Sequence, residues 1–306
     1  MTARPGLILI ASSFLIAAKA QTAPPFMAPD LTYAEEETET VVYNNVSVTY
    51  LDRGNGSVIL PFMYTGGGFA YWQSFIEAAR TNYRVLSPDG ASYSLPQLRA
   101  LIESTNSGPV DLVTHSLASW FAIHFAERNP ELVNSLILLE PAYAPDLPSA
   151  ILSAQAYETS CELRDQPADI MAACRLINGI SGAGYFERLP ASYLEAVLDP
   201  AVNRRVAEAA NESDLHPASP ELIERGWGFP FSPICETSAK LTVPILIVRG
   251  AVSTRSNRIG LDAHQSCLPP HQTIVIAGAT HWAHLEKPEE FNESVLKFIA
   301  EHRTEN

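Results

Sequence analysis

A serine marks the point where a predicted strand meets a predicted helix. Residues 110–114 are typical of a buried strand, Ser116 follows at its end, and residues 117–127 favour a helix that stops at Asn129-Pro130. A serine at such a junction holds its Oγ near the positive end of the helix, where a nucleophile and an oxyanion are both favoured. The alternative is that Ser116 only caps the helix.

The segment around this serine resembles the nucleophile elbow of the α/β-hydrolase superfamily. The usual GxSxG pattern is represented by Thr114-His115-Ser116-Leu117-Ala118, in which two small residues replace the glycines. The resemblance implies that Ser116 is the catalytic nucleophile and that the N–H of Leu117 stabilises the oxyanion. His115 receives no chemical role, because its side chain is expected to point away from the site.

Two further segments are similar to superfamily motifs. Residues 63–69 contain three glycines where the superfamily usually has His-Gly, so Gly66 or Gly67 is the expected second oxyanion donor, unless this is a simple flexible turn. Residues 278–291 resemble the loop after the last strand and the final helix. That resemblance makes His281 the general base, and it leaves His284 as a residue at the entry to the helix.

The acid of the expected triad departs from the commonest pattern. The superfamily often carries an aspartate shortly after the strand predicted at 243–248, but residues 249–254 contain no carboxylate. Glu140 follows the preceding core strand, which resembles the branch that includes haloalkane dehalogenases, so Glu140 is the expected acid. Asp262 and Asp146 are weaker candidates, and Glu140 could instead be a solvated residue. Dehalogenase chemistry itself is disfavoured because it uses an aspartate at the position of Ser116.

The elements that must position these residues alternate between strand and helix. Residues 40–43 and 46–52 predict an antiparallel hairpin. The remaining strands are expected at 59–65, 83–87, 110–114, 133–139, 243–248 and 273–276, and helices at 71–80, 117–127 and from Pro288 onward. This order predicts an α/β-hydrolase fold, with a mostly parallel central sheet flanked by helices. The core is assigned to residues 41–141 and 240–306, and an inserted helical cap to residues 142–239.

The amino terminus is typical of a signal peptide. Arg4 precedes an apolar run at residues 7–18, and Ala18-Lys19-Ala20 provides a cleavage site, so residues 1–20 are assigned to the signal. A membrane anchor is disfavoured because the run is shorter than the roughly 20 residues of a spanning helix. Residues 21–40 are expected to form an extended lead-in. The mature protein is therefore expected to be secreted or to lie in the secretory lumen, without a membrane span.

Cysteines and glycosylation motifs agree with that compartment. An even number of cysteines predicts two disulfides in an oxidising environment, and three pairings are possible. Proximity favours Cys161–Cys174 and Cys235–Cys267, and the absence of a CxxC pair disfavours metal binding. Asn-x-Ser acceptor motifs begin at Asn45, Asn55, Asn211 and Asn292.

Charge and resemblance together narrow the function. The formal charge of −14 disfavours nucleic acids and anionic membrane surfaces as partners. No motif for a metal or organic cofactor is present. The resemblance implies a serine hydrolase that cleaves an ester or lactone of a hydrophobic small molecule through an acyl-enzyme. The alternatives are a cyclase, lyase or carbon-carbon bond hydrolase of secondary metabolism, and a binding protein without activity. The oligomeric state and the exact substrate stay open.

Overall fold

The protein was analysed as a computed structural model. It describes residues 38–43, 46–62, 68–88, 95–116, 118–141, 234–253, 258, 261–262 and 265–303. The predicted signal peptide, residues 21–37 of the predicted lead-in and the predicted cap as far as residue 233 lie outside the described residues, whereas residues 38–40 of the lead-in belong to the first strand.

Within the described residues the central element is an eight-stranded sheet. Its strands are β1 Thr38–Tyr43, β2 Val46–Arg53, β3 Val58–Phe62, β4 Arg84–Pro88, β5 Val110–His115, β6 Val133–Leu139, β7 Ile245–Gly250 and β8 Gln272–Ile276. They lie in the order β1-β2-β4-β3-β5-β6-β7-β8. β1 pairs with β2 and β2 with β4 in antiparallel fashion, and the remaining pairs are parallel. The predicted mostly parallel sheet and the amino-terminal hairpin are thereby confirmed.

Helices cover both faces of the sheet. They are α1 Gly68–Ala79, α2 Leu95–Ser104, α3 Ala118–Arg128, α4 Ile234–Ser238, α5 Ala283–Glu286 and α6 Pro288–His302, with a 3-10 turn at Pro130–Leu132. Apolar residues of α2 and α3 pack on one face, against side chains such as Leu112 and Leu136. Those of α1 and α6 pack on the other, against Val113 and Ile137. The alternation of side chains along each strand produces these two cores.

Besides small shifts of element bounds, the structure differs from the sequence-based assignment at one long helix and one strand. Helix α2 was not predicted, although Leu95, Leu98, Leu101 and Ile102 are buried on one of its faces. Strand β8 was predicted as a buried run, but it lies at the edge of the sheet, and Val275 is 52% exposed. An edge strand lacks a neighbour on one side, so its side chains receive less cover.

The last residues of the segment predicted as the cap are fixed covalently to the core. α4 packs against α3, and its Cys235 forms a disulfide with Cys267, so this expected pairing is confirmed. The other expected pairing, Cys161–Cys174, lies outside the described residues. In the part of the chain that the structure describes, no helix has the length and apolar character needed to cross a membrane.

Candidate active site

Ser116 lies at the carboxyl end of β5 in a left-handed backbone conformation. Its φ is 54°, which is unusual for a residue with a side chain. Its N–H donates to the carbonyl of Leu139 at 2.9 Å, and its own carbonyl accepts from the N–H of Ser119 at 3.1 Å, so the turn is anchored to β6 and to α3. Ser116 is partly exposed, whereas His115 and Ala118 are buried. Strained positions of this kind cluster at functional sites.

The two residues that replace the glycines of the elbow fit the buried turn. The Thr114 hydroxyl lies 3.2 Å from both the carbonyl of Ile137 and the Ser119 hydroxyl, so its polar atom is satisfied inside the sheet. Ala118 is fully buried at the start of α3. The sharp turn at Ser116 is therefore compatible with threonine and alanine at these positions.

Glu140 lies directly after β6 and is also left-handed, with a φ of 43°. The residue is only 2% exposed. Its Oε1 accepts hydrogen bonds from the N–H of Gly250 and from the hydroxyl of Ser253, both at 2.6 Å. Two donors compensate part of the cost of burying a carboxylate. Glu140 is thus a buried, fixed acceptor and not a solvated residue.

The other carboxylate oxygen of Glu140 faces His281. The distance from His281 Nδ1 to Glu140 Oε2 is 3.4 Å, and His281 is 1% exposed. A carboxylate oxygen accepts, so Nδ1–H is the donor of this bond, which makes Nε2 the nitrogen that can act as a base. The two residues are 141 positions apart in the chain. The residues expected as acid and base are therefore in contact.

His115 braces the backbone of His281 from below the site. Its Nε2 donates to the carbonyl of His281 at 2.8 Å, so Nε2 carries the proton, and Nδ1 accepts from the Tyr71 hydroxyl. Burial lowers the pKa of His115 well below its ordinary value, and the neighbouring His281 and His284 lower it further. The side chain was expected to point away from the site, but its ring is buried against that of His281, with 4.4 Å between the ring centroids. Its positional role went unrecognised because its partners are 44 and 166 residues distant.

His284 lies in α5 within an aromatic cage. Its ring centroid is 4.4 Å from that of Tyr71, 4.9 Å from Trp72 and 5.2 Å from His115. Burial lowers the pKa of His284 well below its ordinary value, with a further contribution from His281. Neither ring nitrogen has a hydrogen-bond partner within the described part of the chain. The imidazole is therefore held neutral, as part of the packing around the His281 loop.

The structure brings some of the predicted residues together and leaves others undetermined. Glu140 contacts His281, and the N–H of Ser116 donates a hydrogen bond to the carbonyl of Leu139, the residue before Glu140. The predicted oxyanion donors Leu117, Gly66 and Gly67, and the weaker acid candidate Asp146, lie outside the described residues. The other weaker candidate, Asp262, is exposed and pairs with Arg249 at 3.2 Å. Among the described residues no group of three or more side chains could hold a metal ion.

The sheet order, the sharp turn at Ser116 and the buried carboxylate–histidine pair define the α/β-hydrolase class. The model of the Alpha/beta hydrolase family matches residues 58–294, which is more than half of the chain. The protein therefore belongs to the α/β-hydrolase family, and the expected fold class is confirmed.

Known proteins of related sequence and structure include several hydrolases. The chain is 26% identical over 198 residues to human 1-acylglycerol-3-phosphate O-acyltransferase ABHD5, a match that covers 60% of this chain and 55% of the relative. Naproxen esterase from Bacillus subtilis superimposes with a TM-score of 0.61 at 17% identity, covering 86% of this chain and 90% of that one. Carboxylesterase CesB, also from Bacillus subtilis, gives 0.57 at 19% identity, covering 87% and 92%. The chain spans only about half the length of ABHD5, and the structural likenesses establish the fold alone.

Proposed function

We propose that the protein is a serine hydrolase that cleaves an ester or lactone of a hydrophobic small molecule. The observation that carries the proposal is the buried Glu140–His281 pair. Glu140 and the left-handed Ser116 both lie at the carboxyl ends of neighbouring strands. A buried acid that orients a histidine toward a partly exposed serine is the arrangement that activates a hydroxyl nucleophile. Esterases among proteins of the same fold support the ester-hydrolase assignment.

The proposed reaction uses the basic Nε2 of His281. This nitrogen accepts the Ser116 hydroxyl proton as Oγ attacks the substrate carbonyl, and the tetrahedral oxyanion is stabilised by the N–H of Leu117 and of Gly66 or Gly67. The imidazolium, paired with Glu140, then returns the proton to the leaving alkoxide, and an acyl-enzyme remains. Water then attacks the acyl carbon as His281 accepts its proton, and the imidazolium returns that proton to Ser116 Oγ as the carboxylic acid is released.

We infer a secreted location from the sequence, and two structural features support it. The Cys235–Cys267 disulfide fits an oxidising compartment. Of the acceptor motifs in the described residues, Asn55 is exposed in the turn between β2 and β3. Asn292 is 8% exposed, and its side-chain nitrogen donates to Ser74. Of these two motifs, Asn55 and not Asn292 is therefore expected to carry a glycan on the folded protein.

Labelling of Ser116 tests the proposed nucleophile directly. The intact protein is treated with a fluorophosphonate probe, and the modified peptide is identified by mass spectrometry, with S116A as the variant and S119A as the matched control from the same turn. Labelling at Ser116 in the wild type and in S119A, but not in S116A, is expected. Absence of labelling in a folded wild-type protein would reject the proposal.

A substrate panel then tests the reaction. Turnover of p-nitrophenyl esters or lactones that S116A lacks is the expected outcome. If Ser116 is labelled but no ester or lactone is cleaved, ester hydrolysis is rejected. A cyclase, lyase or carbon-carbon bond hydrolase would then be favoured, since all three occur on this fold.

A further inference from the structure

Ser253 lies beside the acid of the proposed triad, in the loop that follows β7. It is 3% exposed, and its hydroxyl donates to Glu140 Oε1 at 2.6 Å. The same oxygen accepts the N–H of Gly250 at 2.6 Å. Both donors therefore bind one carboxylate oxygen, and the other oxygen, Oε2, is left to face His281.

The loop around Ser253 is itself fixed to the segment that leads to His281. The N–H of Ala251 donates to the carbonyl of Ile276 and that of Val252 to the carbonyl of Ala279, both at 2.9 Å. Arg258 donates to the Ser253 carbonyl at 2.8 Å. The hydroxyl is thus held in place before any substrate binds, and its position follows that of the His281 loop.

We infer that Ser253 is a positioning residue that sets the orientation of the Glu140 carboxylate toward His281. The terminal torsion of a glutamate side chain has a broad distribution, so a carboxylate without fixed donors can rotate. Two charge-assisted hydrogen bonds to Oε1 oppose this rotation. The inference rests on the proposed function, in which Glu140 orients His281 and stabilises its charged form.

The chain contains a matched control for the substitution. Ser135 is also fully buried, and its hydroxyl also donates to a buried carboxylate, that of Asp111, at 2.6 Å. This pair lies at the opposite end of the sheet, where β5 begins. Removal of either hydroxyl leaves a buried carboxylate with one donor fewer, and of the two carboxylates only that of Glu140 lies at the proposed site.

The test measures the kinetics of fluorophosphonate labelling of Ser116 in full-length protein. The maximal labelling rate reports activation of the nucleophile, and the probe concentration at half-maximal rate reports binding. For S253A we expect the maximal rate to fall about tenfold with unchanged probe binding, because a mispositioned acid weakens activation without altering the pocket. S253T keeps a hydroxyl and should retain most of the rate, and S135A should retain the wild-type rate.

The outcomes separate this inference from the proposed function. If wild-type Ser116 is not labelled, the proposed function fails. If the wild type is labelled and S253A reacts as fast as S135A, Ser253 is only structural and the inference is overturned. A loss in S253A that S253T does not rescue also overturns it, because the hydroxyl is then not responsible. S253G replaces S253A if the alanine variant does not fold.

Discussion

Two buried carboxylates lie at opposite ends of the same sheet and have different partners. Asp111, at the amino end of β5, is fully buried and accepts from Asn134 at 2.7 Å and from Ser135 at 2.6 Å. Its second oxygen binds the guanidinium of Arg303, with Nε at 2.7 Å. Glu140, at the carboxyl end of β6, has a similar serine donor, but its basic partner is the imidazole of His281.

The difference lies in whether the partner can release a proton. An arginine stays charged at any ordinary pH, so the Asp111–Arg303 pair is a permanent ion pair that ties the end of α6 to β5. A histidine can exchange its proton near neutral pH. Glu140 also has a left-handed backbone, whereas Asp111 lies within strand β5. Burial of an acid alone therefore does not indicate a catalytic role, whereas burial of an acid beside a base that can gain and lose a proton does.

The largest expected effect is on activity, at Glu140. In E140Q the neutral amide can no longer stabilise a charged His281, so the maximal rate of Ser116 labelling should fall by about 10³ to 10⁴-fold. Labelling kinetics measure this, and urea unfolding checks that the protein is folded. A labelling rate within threefold of wild type would place the acid elsewhere and remove the contrast with Asp111.

At Asp111 the large effect is expected on stability instead. D111N leaves the guanidinium of Arg303 without its anionic partner, and Arg303 is only 16% exposed in its side chain. Loss of one partner of a buried pair should lower the free energy of unfolding by about 3–5 kcal/mol. Urea denaturation measures this loss, and the labelling rate of the folded fraction should be unchanged. A selective loss of labelling rate would contradict the structural role of Asp111.

A smaller effect is expected at His284, in the aromatic cage near the end of the sheet where Glu140 lies. Because burial lowers the pKa of His284 well below its ordinary value, the unfolded chain takes up a proton that the folded protein does not. Stability is therefore lost as pH falls below about 6.5, by about 1.4 kcal/mol per pH unit for each such group. H284F should remove up to about 2 kcal/mol of the loss between pH 7.5 and pH 5.

Unfolding in urea at the two pH values measures the change for H284F. The wild type at pH 7.5 is the reference, and phenylalanine fits the cage because His284 already packs against the rings of Tyr71 and Trp72. An unchanged pH dependence in H284F would show that His284 does not contribute to acid sensitivity.

The sheet could be predicted from sequence because its signal is local. The strand predicted at 133–139 matches β6, and the one at 110–114 extends by a single residue in β5. The spacing of the buried leucines in α2 is typical of a helix, although no helix was predicted there. The exposure of β8 could not be read in this way, because a strand at the edge and one in the centre have similar apolar sequences.

The site was only partly predictable for a related reason. Ser116 and Glu140 follow predicted strands, so their place at one sheet edge follows from the topology. The supporting residues have no such local signature, because the Ser253 hydroxyl meets a carboxylate 113 residues away and His115 meets a carbonyl 166 residues away. A serine or a histidine in a loop is common, and only the folded chain shows which partner it has.

At the left-handed turn of Ser116, thermal stability and the proposed activity favour different residue types. A side chain at this φ costs about 1–2 kcal/mol that glycine does not incur, although glycine loses more chain entropy on folding. Laboratory evolution that selects for thermal stability alone would therefore enrich S116G, a more stable variant that lacks the proposed nucleophile. Screens for robust variants of this enzyme should score labelling and melting together.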